Sequence, residues 1–181
     1  MKYYIVALFD DESYETISPI QRNFSKKFRA NRNSPIPYIA LNVLENSSPE
    51  KLTPVIEKVL KPYKKFKVEL SNTVSICEST KTINLNIKDM GYIRKICRSL
   101  NDTLYLHGFN IKSSLNDELA VSLANVNYYN KDNKRYENDI ACDLCEKEDK
   151  NLTLKVDRIE LWKISNNKRE TCLNTFELKH F

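Results

Sequence analysis

Residues 2–9 (KYYIVALF) form a β-branched and aromatic run, the pattern of a first strand. Asp10, Asp11, Glu12 and Ser13 then supply N-cap and first-turn groups. Ile17, Ile20, Phe24 and Phe28 fall on one stripe of a helix reaching about residue 28, and Pro35 and Pro37 close the segment. In the strand 36–45 (IPYIALNVLE), Ile39, Leu41 and Val43 share one face, and Tyr38, Ala40 and Asn42 share the other. Ser47, Ser48, Pro49 and Glu50 start a second helix, with serine as cap, carrying Leu52, Ile56, Val59 and Leu60 and ending near Pro62.

Strands follow at about 65–77 and 82–88, then a helix opening at Asp89 with Ile93, Ile96, Cys97 and Leu100 inward. A strand at 118–126 (ELAVSLANV) leads into a polar, glycine-free loop, NYYNKDNKRYEND, and a short helix around 137–147. Strands at about 152–164 and 171–179 end the chain. Strand, helix, strand, helix, strand thus occurs at 2–77 and again at 82–164. Aligning IPYIALNVL with ELAVSLANV sets Tyr38 against Ala120 and Ala40 against Ser122, 82 residues apart in both cases (120 − 38 and 122 − 40). The expected architecture is α/β (α+β) in one domain of two lobes, approximately 1–80 and 81–181, with antiparallel-rich sheets flanked by helices around a cleft.

Composition narrows the chemistry. Two glycines in 181 residues, against about 13 at ~7% usage, exclude a Gly-rich phosphate loop or dinucleotide fingerprint. Five cysteines, an odd and scattered set, fit free thiols in a reducing, cytoplasmic setting. No apolar run reaches the roughly 20 residues that span a bilayer, so no membrane partner is expected. A net charge of +5 permits an anionic ligand without demanding one.

At this point the chain resembles the 2H phosphoesterase superfamily, which includes the 2′–5′ RNA ligase-like and cyclic phosphodiesterase proteins. The resemblance covers nearly the whole chain. Members carry a His-x-Thr/Ser motif in each of two equivalent strands, which here read Tyr38-Ile39-Ala40 and Ala120-Val121-Ser122. The chemistry implied is opening of a cyclic phosphate or related diester. One imidazole removes a proton and the other returns one, both near their pKa of about 6.5. The hydroxyl two residues on shares the strand face and donates to the phosphoryl oxygens. Tyr38 titrates near 10 when unperturbed and Ala120 exchanges no proton. Ala40 replaces one hydroxyl, and Ser122 alone remains.

The resemblance therefore implies a catalytically degenerate protein, with no catalytic residues expected. Its cleft, lined by Tyr38, Ala40, Asn42, Ala120, Ser122 and Ala124, would bind a nucleotide, an RNA end or another anion. Ligand candidates are Tyr38, Asn42, Ser122, Arg29 and Arg32; the two arginines immediately precede the first motif strand. The alternatives are an active 2′,3′-cyclic phosphodiesterase or RNA-ligase-like enzyme using Tyr38, Ser122 and His107, or a protein-interaction module with a vestigial cleft. His107 and His180 read as surface residues. Cys142 and Cys145 form a CxxC without the two further ligands a zinc site needs, so no metal and no cofactor is expected. Tyr3, Tyr4, Phe9, Tyr128 and Tyr129 could stack bases, although aromatics in alternating strands ordinarily fill cores. Lys64, Lys65 and Lys67 extend the basic set, for which solvated charge is the ordinary role.

Overall fold

The computed structural model describes residues 2–27, 36–77, 82–111, 119–125, 152–165 and 169–180. Their elements run β1 (Lys2–Phe9), α1 (Asp11–Lys27), β2 (Tyr38–Glu45), α2 (Pro49–Leu60), β3 (Phe66–Cys77), β4 (Thr82–Ile87), α3 (Gly91–Leu106), β5 (Ala120–Asn125), β6 (Thr153–Ile164) and β7 (Glu170–Glu177). The expected short helix at 137–147, and with it Cys142 and Cys145, lies outside the described residues, as do Arg29, Arg32, Tyr128 and Tyr129.

Helix starts follow local chemistry. Asp10 Oδ1 accepts the Ser13 N–H at 3.1 Å and so caps α1. Burial raises the Asp10 pKa, but the hydrogen bonds from Ser13 and the nearby Lys155 charge together outweigh it and hold this carboxyl below its ordinary value. Ser48 occupies the N-cap position of α2, yet its hydroxyl makes no capping bond. Pro49, which has no N–H to satisfy, opens the helix instead. α3 begins at Gly91, two residues after the expected Asp89, whose Oδ1 accepts the Gly91 N–H at 2.9 Å.

The pairings between the named strands are all antiparallel among the described residues, and they close a circuit. β1 pairs with β2, β2 with β5, β5 with β4, β4 with β3, and β3 with the start of β6. The rest of β6 returns to β1, and β7 is added along β6. The expected halves exchange strands: β3 joins β4 from the second half, while β6 pairs with β1 from the first. The main core lies between one sheet face and the helices. It holds Ile5, Ala7 and Phe9 of β1, Ile17 and Phe24 of α1, Ile56 of α2, Ile96 and Leu100 of α3, and Leu161 of β6. Tyr3 and Phe9 belong to it, so they are core rather than stacking groups.

Two bulges decide which way the motif strands point. Ala40 faces Val6 and Asn42 faces Ile5, leaving Leu41 as the extra residue of β2. Likewise Ser122 faces Asn84 and Ala124 faces Ile83, leaving Leu123 extra in β5. Each bulge turns the following residue over. Asn42 and Ala124, expected on the cleft face, instead point toward the helices. Asn42 is 2% exposed and donates its amide N–H to Asn101 Oδ1 of α3, and Ala124 joins the main core.

Candidate functional site

On the sheet face away from the helices the motif positions meet directly. Tyr38 and Ser122 are register partners across β2 and β5, with Ile39 opposite Val121 behind them. Directly opposed residues share a face. The partners therefore trace one row, Ser75, Asn84, Ser122 and Tyr38, across β3, β4, β5 and β2. On the far side of β1, Leu8 opposes Arg158, which opposes Glu177 of β7. A neighbouring row carries Asn86 opposite Ala120, and Ala40 opposite Val6, which opposes Glu160. Of the expected cleft residues, the fold thus gathers Tyr38, Ala40, Ala120 and Ser122, and it removes Asn42 and Ala124.

The two ends of these rows differ in chemistry. At the β3–β4 end the side chains are neutral and polar. Ser75 donates to Asn86 Oδ1 at 2.8 Å, and the Asn86 amide donates to Thr73 at 3.0 Å. Asn84 is 8% exposed, and its Oδ1 has no hydrogen-bond partner among the described residues. At the β1–β2 end the face is apolar: Val6, Leu8, Tyr38 and Trp162 form a second buried cluster, with Tyr4, Ala40 and Ile164 at its margin. The Trp162 ring meets Tyr38 edge-on, with centroids 5.1 Å apart at 61°. Tyr38 is left 5% exposed.

Glu160 fixes that indole. One carboxylate oxygen accepts Trp162 Nε1–H at 2.6 Å, and the other accepts Arg158 Nε–H at 3.1 Å. The guanidinium also donates to Asp157 and to the Phe9 carbonyl, tying β6 to the end of β1. Just before Tyr38, the Tyr14 hydroxyl donates to the Pro37 carbonyl at 3.1 Å and accepts the Phe9 N–H at 3.3 Å. Burial pushes the Tyr14 phenol up to about 12, so it serves as a fixed neutral bracket for the start of β2.

Trp162, Glu160 and Asn84 were not among the residues singled out from sequence. A signal for the first existed: in Arg158-Ile159-Glu160-Leu161-Trp162, alternation sets the chain's single tryptophan on the charged face. His107 ends α3 with its ring Nδ1 2.8 Å from the Thr103 carbonyl. It is exposed and belongs to the helix layer, behind the sheet face that carries Tyr38 and Ser122. His180 is exposed near the end of the described residues. No three His, Cys, Asp or Glu side chains converge on a metal-sized site among the described residues. No helix among them is long and apolar enough to cross a membrane.

An antiparallel-rich sheet flanked, among the described residues, by three helices, with β2 and β5 paired at its centre, is the 2H phosphoesterase fold. Solved structures with this arrangement superimpose over almost the whole chain. A phosphoesterase matches with a TM-score of 0.65 at 12% identity, covering 98% of each chain. E. coli LigT complexed with 3′-AMP matches with a TM-score of 0.62 at 14% identity, covering 98% of this chain and 97% of that one. Usb1 of Kluyveromyces marxianus matches with a TM-score of 0.56 at 13% identity, covering 98% of both. No protein-family model and no curated protein matches the sequence.

Proposed function

We propose that this chain is a catalytically degenerate 2H-fold protein that uses the paired-strand face to bind a nucleotide or an RNA end. The observation that carries the proposal is the pairing of Tyr38 with Ser122, with Ala120 in the adjoining row, where the two-histidine mechanism needs an acid and a base. Tyr38 packs against Trp162 in an apolar cluster with Val6 and Leu8. Ala120 has no proton to give. Ser122 and Asn84 keep a hydroxyl and an amide on the polar half of the face, groups that suit a sugar or base edge. LigT, which has the same fold, is crystallised with 3′-AMP, ATP and NADP+, and this supports a nucleotide-sized ligand.

The two halves carry the same bulge one residue after Ala40 and one residue after Ser122, which supports an origin by duplication. An active enzyme built on His107 is disfavoured, because that ring lies in the helix layer on the other side of β2. Calorimetric titration with 3′-AMP, 2′,3′-cyclic nucleotides and short RNAs tests the reading. Saturable binding without turnover, weakened in Ser122→Ala, is expected. No binding to any of them, or turnover of a cyclic nucleotide, would refute it.

A further inference from the structure

Each bulge leaves one residue outside the ladder, Leu41 in β2 and Leu123 in β5. Both residues are 1% exposed, so their carbonyls need donors from within the protein. A helix side chain supplies each one. Cys97 Sγ of α3 donates to the Leu41 carbonyl at 3.0 Å, and Gln21 Nε2 of α1 donates to the Leu123 carbonyl at 2.7 Å. The arrangement is crossed: α1, from the first half of the chain, holds the strand of the second half, and α3 holds that of the first. Burial keeps the Cys97 thiol protonated, with its pKa pushed up to about 12, so it remains a donor at neutral pH.

The bulges decide what the ligand face contains. A strand without a bulge shows alternate residues to one side without interruption. With Leu44 kept in the main core, an unbulged β2 would turn Ala40 and Tyr38 toward the helices. With Ala124 kept there, an unbulged β5 would do the same to Ser122. Only the extra residue lets one strand bury both Leu41 and Asn42 and still present Tyr38 and Ala40 on the other face. Whatever holds the bulge therefore holds the face.

We infer that Cys97 and Gln21 are positioning residues for the ligand face: by holding the Leu41 and Leu123 carbonyls they fix both bulges, and so keep Tyr38 and Ser122 paired on the side away from the helices. The effect on binding rests on the nucleotide reading above; the effect on strand geometry does not. Native-state hydrogen exchange followed by NMR, with near-UV circular dichroism of the single tryptophan, reads the geometry without ligand. Cys97→Ala should speed exchange of the Ala40–Val43 amides roughly five- to tenfold, the factor expected for one buried hydrogen bond. It should also alter the Trp162 signal, because Tyr38 lies two residues before Ala40 and packs on the indole. Gln21→Met, which keeps the length and loses the amide, should speed exchange at Ser122–Ala124 by a similar factor and leave Ala40–Val43 near wild type.

Cys97→Ser retains a hydroxyl donor and should restore the wild-type pattern. Ile56→Ala in the core of α2 leaves both donors in place and is the stability control. It should lower Tm and raise exchange generally, without the local pattern. Titration with 3′-AMP should give a Kd roughly fivefold weaker or more in Cys97→Ala and in Gln21→Met, and unchanged in Cys97→Ser and Ile56→Ala. The proposal is overturned if exchange in Cys97→Ala and Gln21→Met rises only in step with Tm, as in Ile56→Ala, or if both variants bind 3′-AMP as the wild type does. A wild type that binds no nucleotide refutes the ligand reading instead, and the exchange pattern still decides the positioning role.

Discussion

Trp162→Ala removes the indole from the cluster it forms with Val6, Leu8 and Tyr38. The residue is 4% exposed, so nearly all of its apolar area is withdrawn from water. An aromatic side chain buries about 150–250 Å². At ~25 cal/mol per Å² this corresponds to roughly 4–6 kcal/mol, beside the 3–5 kcal/mol typical of Trp→Ala in cores. The edge contact with Tyr38 accounts for about 0.5–1.5 kcal/mol of coupling. The bond to Glu160 adds little net energy, since that carboxylate keeps its Arg158 partner. The expected loss is therefore about 3–5 kcal/mol, a large share of the ~5–15 kcal/mol of a typical domain. Trp162→Phe should cost less, because a ring remains against Tyr38.

Urea unfolding followed by far-UV circular dichroism measures this without the tryptophan signal. A double-mutant cycle with Tyr38→Ala isolates the coupling. A Trp162→Ala cost below about 1 kcal/mol, or zero coupling, would refute the claim that the indole closes the Tyr38 position. The single tryptophan also makes the wild-type chain its own reporter, since a ligand on the paired-strand face should shift its emission.

Asn101→Ala should destabilise by about 1–3 kcal/mol in urea melts, because it strands the buried Asn42 amide. The double change Asn42→Leu/Asn101→Leu should cost less than that single change, and the opposite order would refute the pairing. The folded-state pKa of Asp10 is lowered, so its contribution is complete above the unfolded value of about 3.9 and disappears as pH falls through the lower folded value. Asp10→Asn should remove that part of the acid dependence; unfolding midpoints that run parallel for the two proteins from pH 2 to 6 would contradict this. Burial pushes the Cys97 thiol up to about 12, and Sγ donates to the Leu41 carbonyl at 3.0 Å. Peptide mapping after maleimide treatment of the native chain at pH 8 should find the exposed Cys172 modified and Cys97 intact until urea is added.

Element order was legible from local chemistry. β-branched runs, the Asp10 cap, Pro49 and the apolar stripes of α2 and α3 each act within a few residues, and helix and strand limits lie within one to three residues of those expected. The strand character of the Tyr38 and Ser122 segments was legible as well, because alternation acts residue by residue. By itself the sequence determined the succession of the described elements and their apolar faces.

Tertiary structure decided the rest. Strand alternation predicts a face only while the strand is unbroken, and the bulges at Leu41 and Leu123 turned Asn42 and Ala124 toward the helices. No local pattern announces those bulges, because a bulge is a relation between two strands. The same holds for Trp162: β6 follows Tyr38 by more than a hundred residues, and only its pairing with β1 brings the indole across Val6 onto the phenol. Lys67 likewise read as an ordinary solvated charge until register set it opposite Lys155. Register is fixed by burying one face of every strand at once, a condition that no single segment of the chain contains.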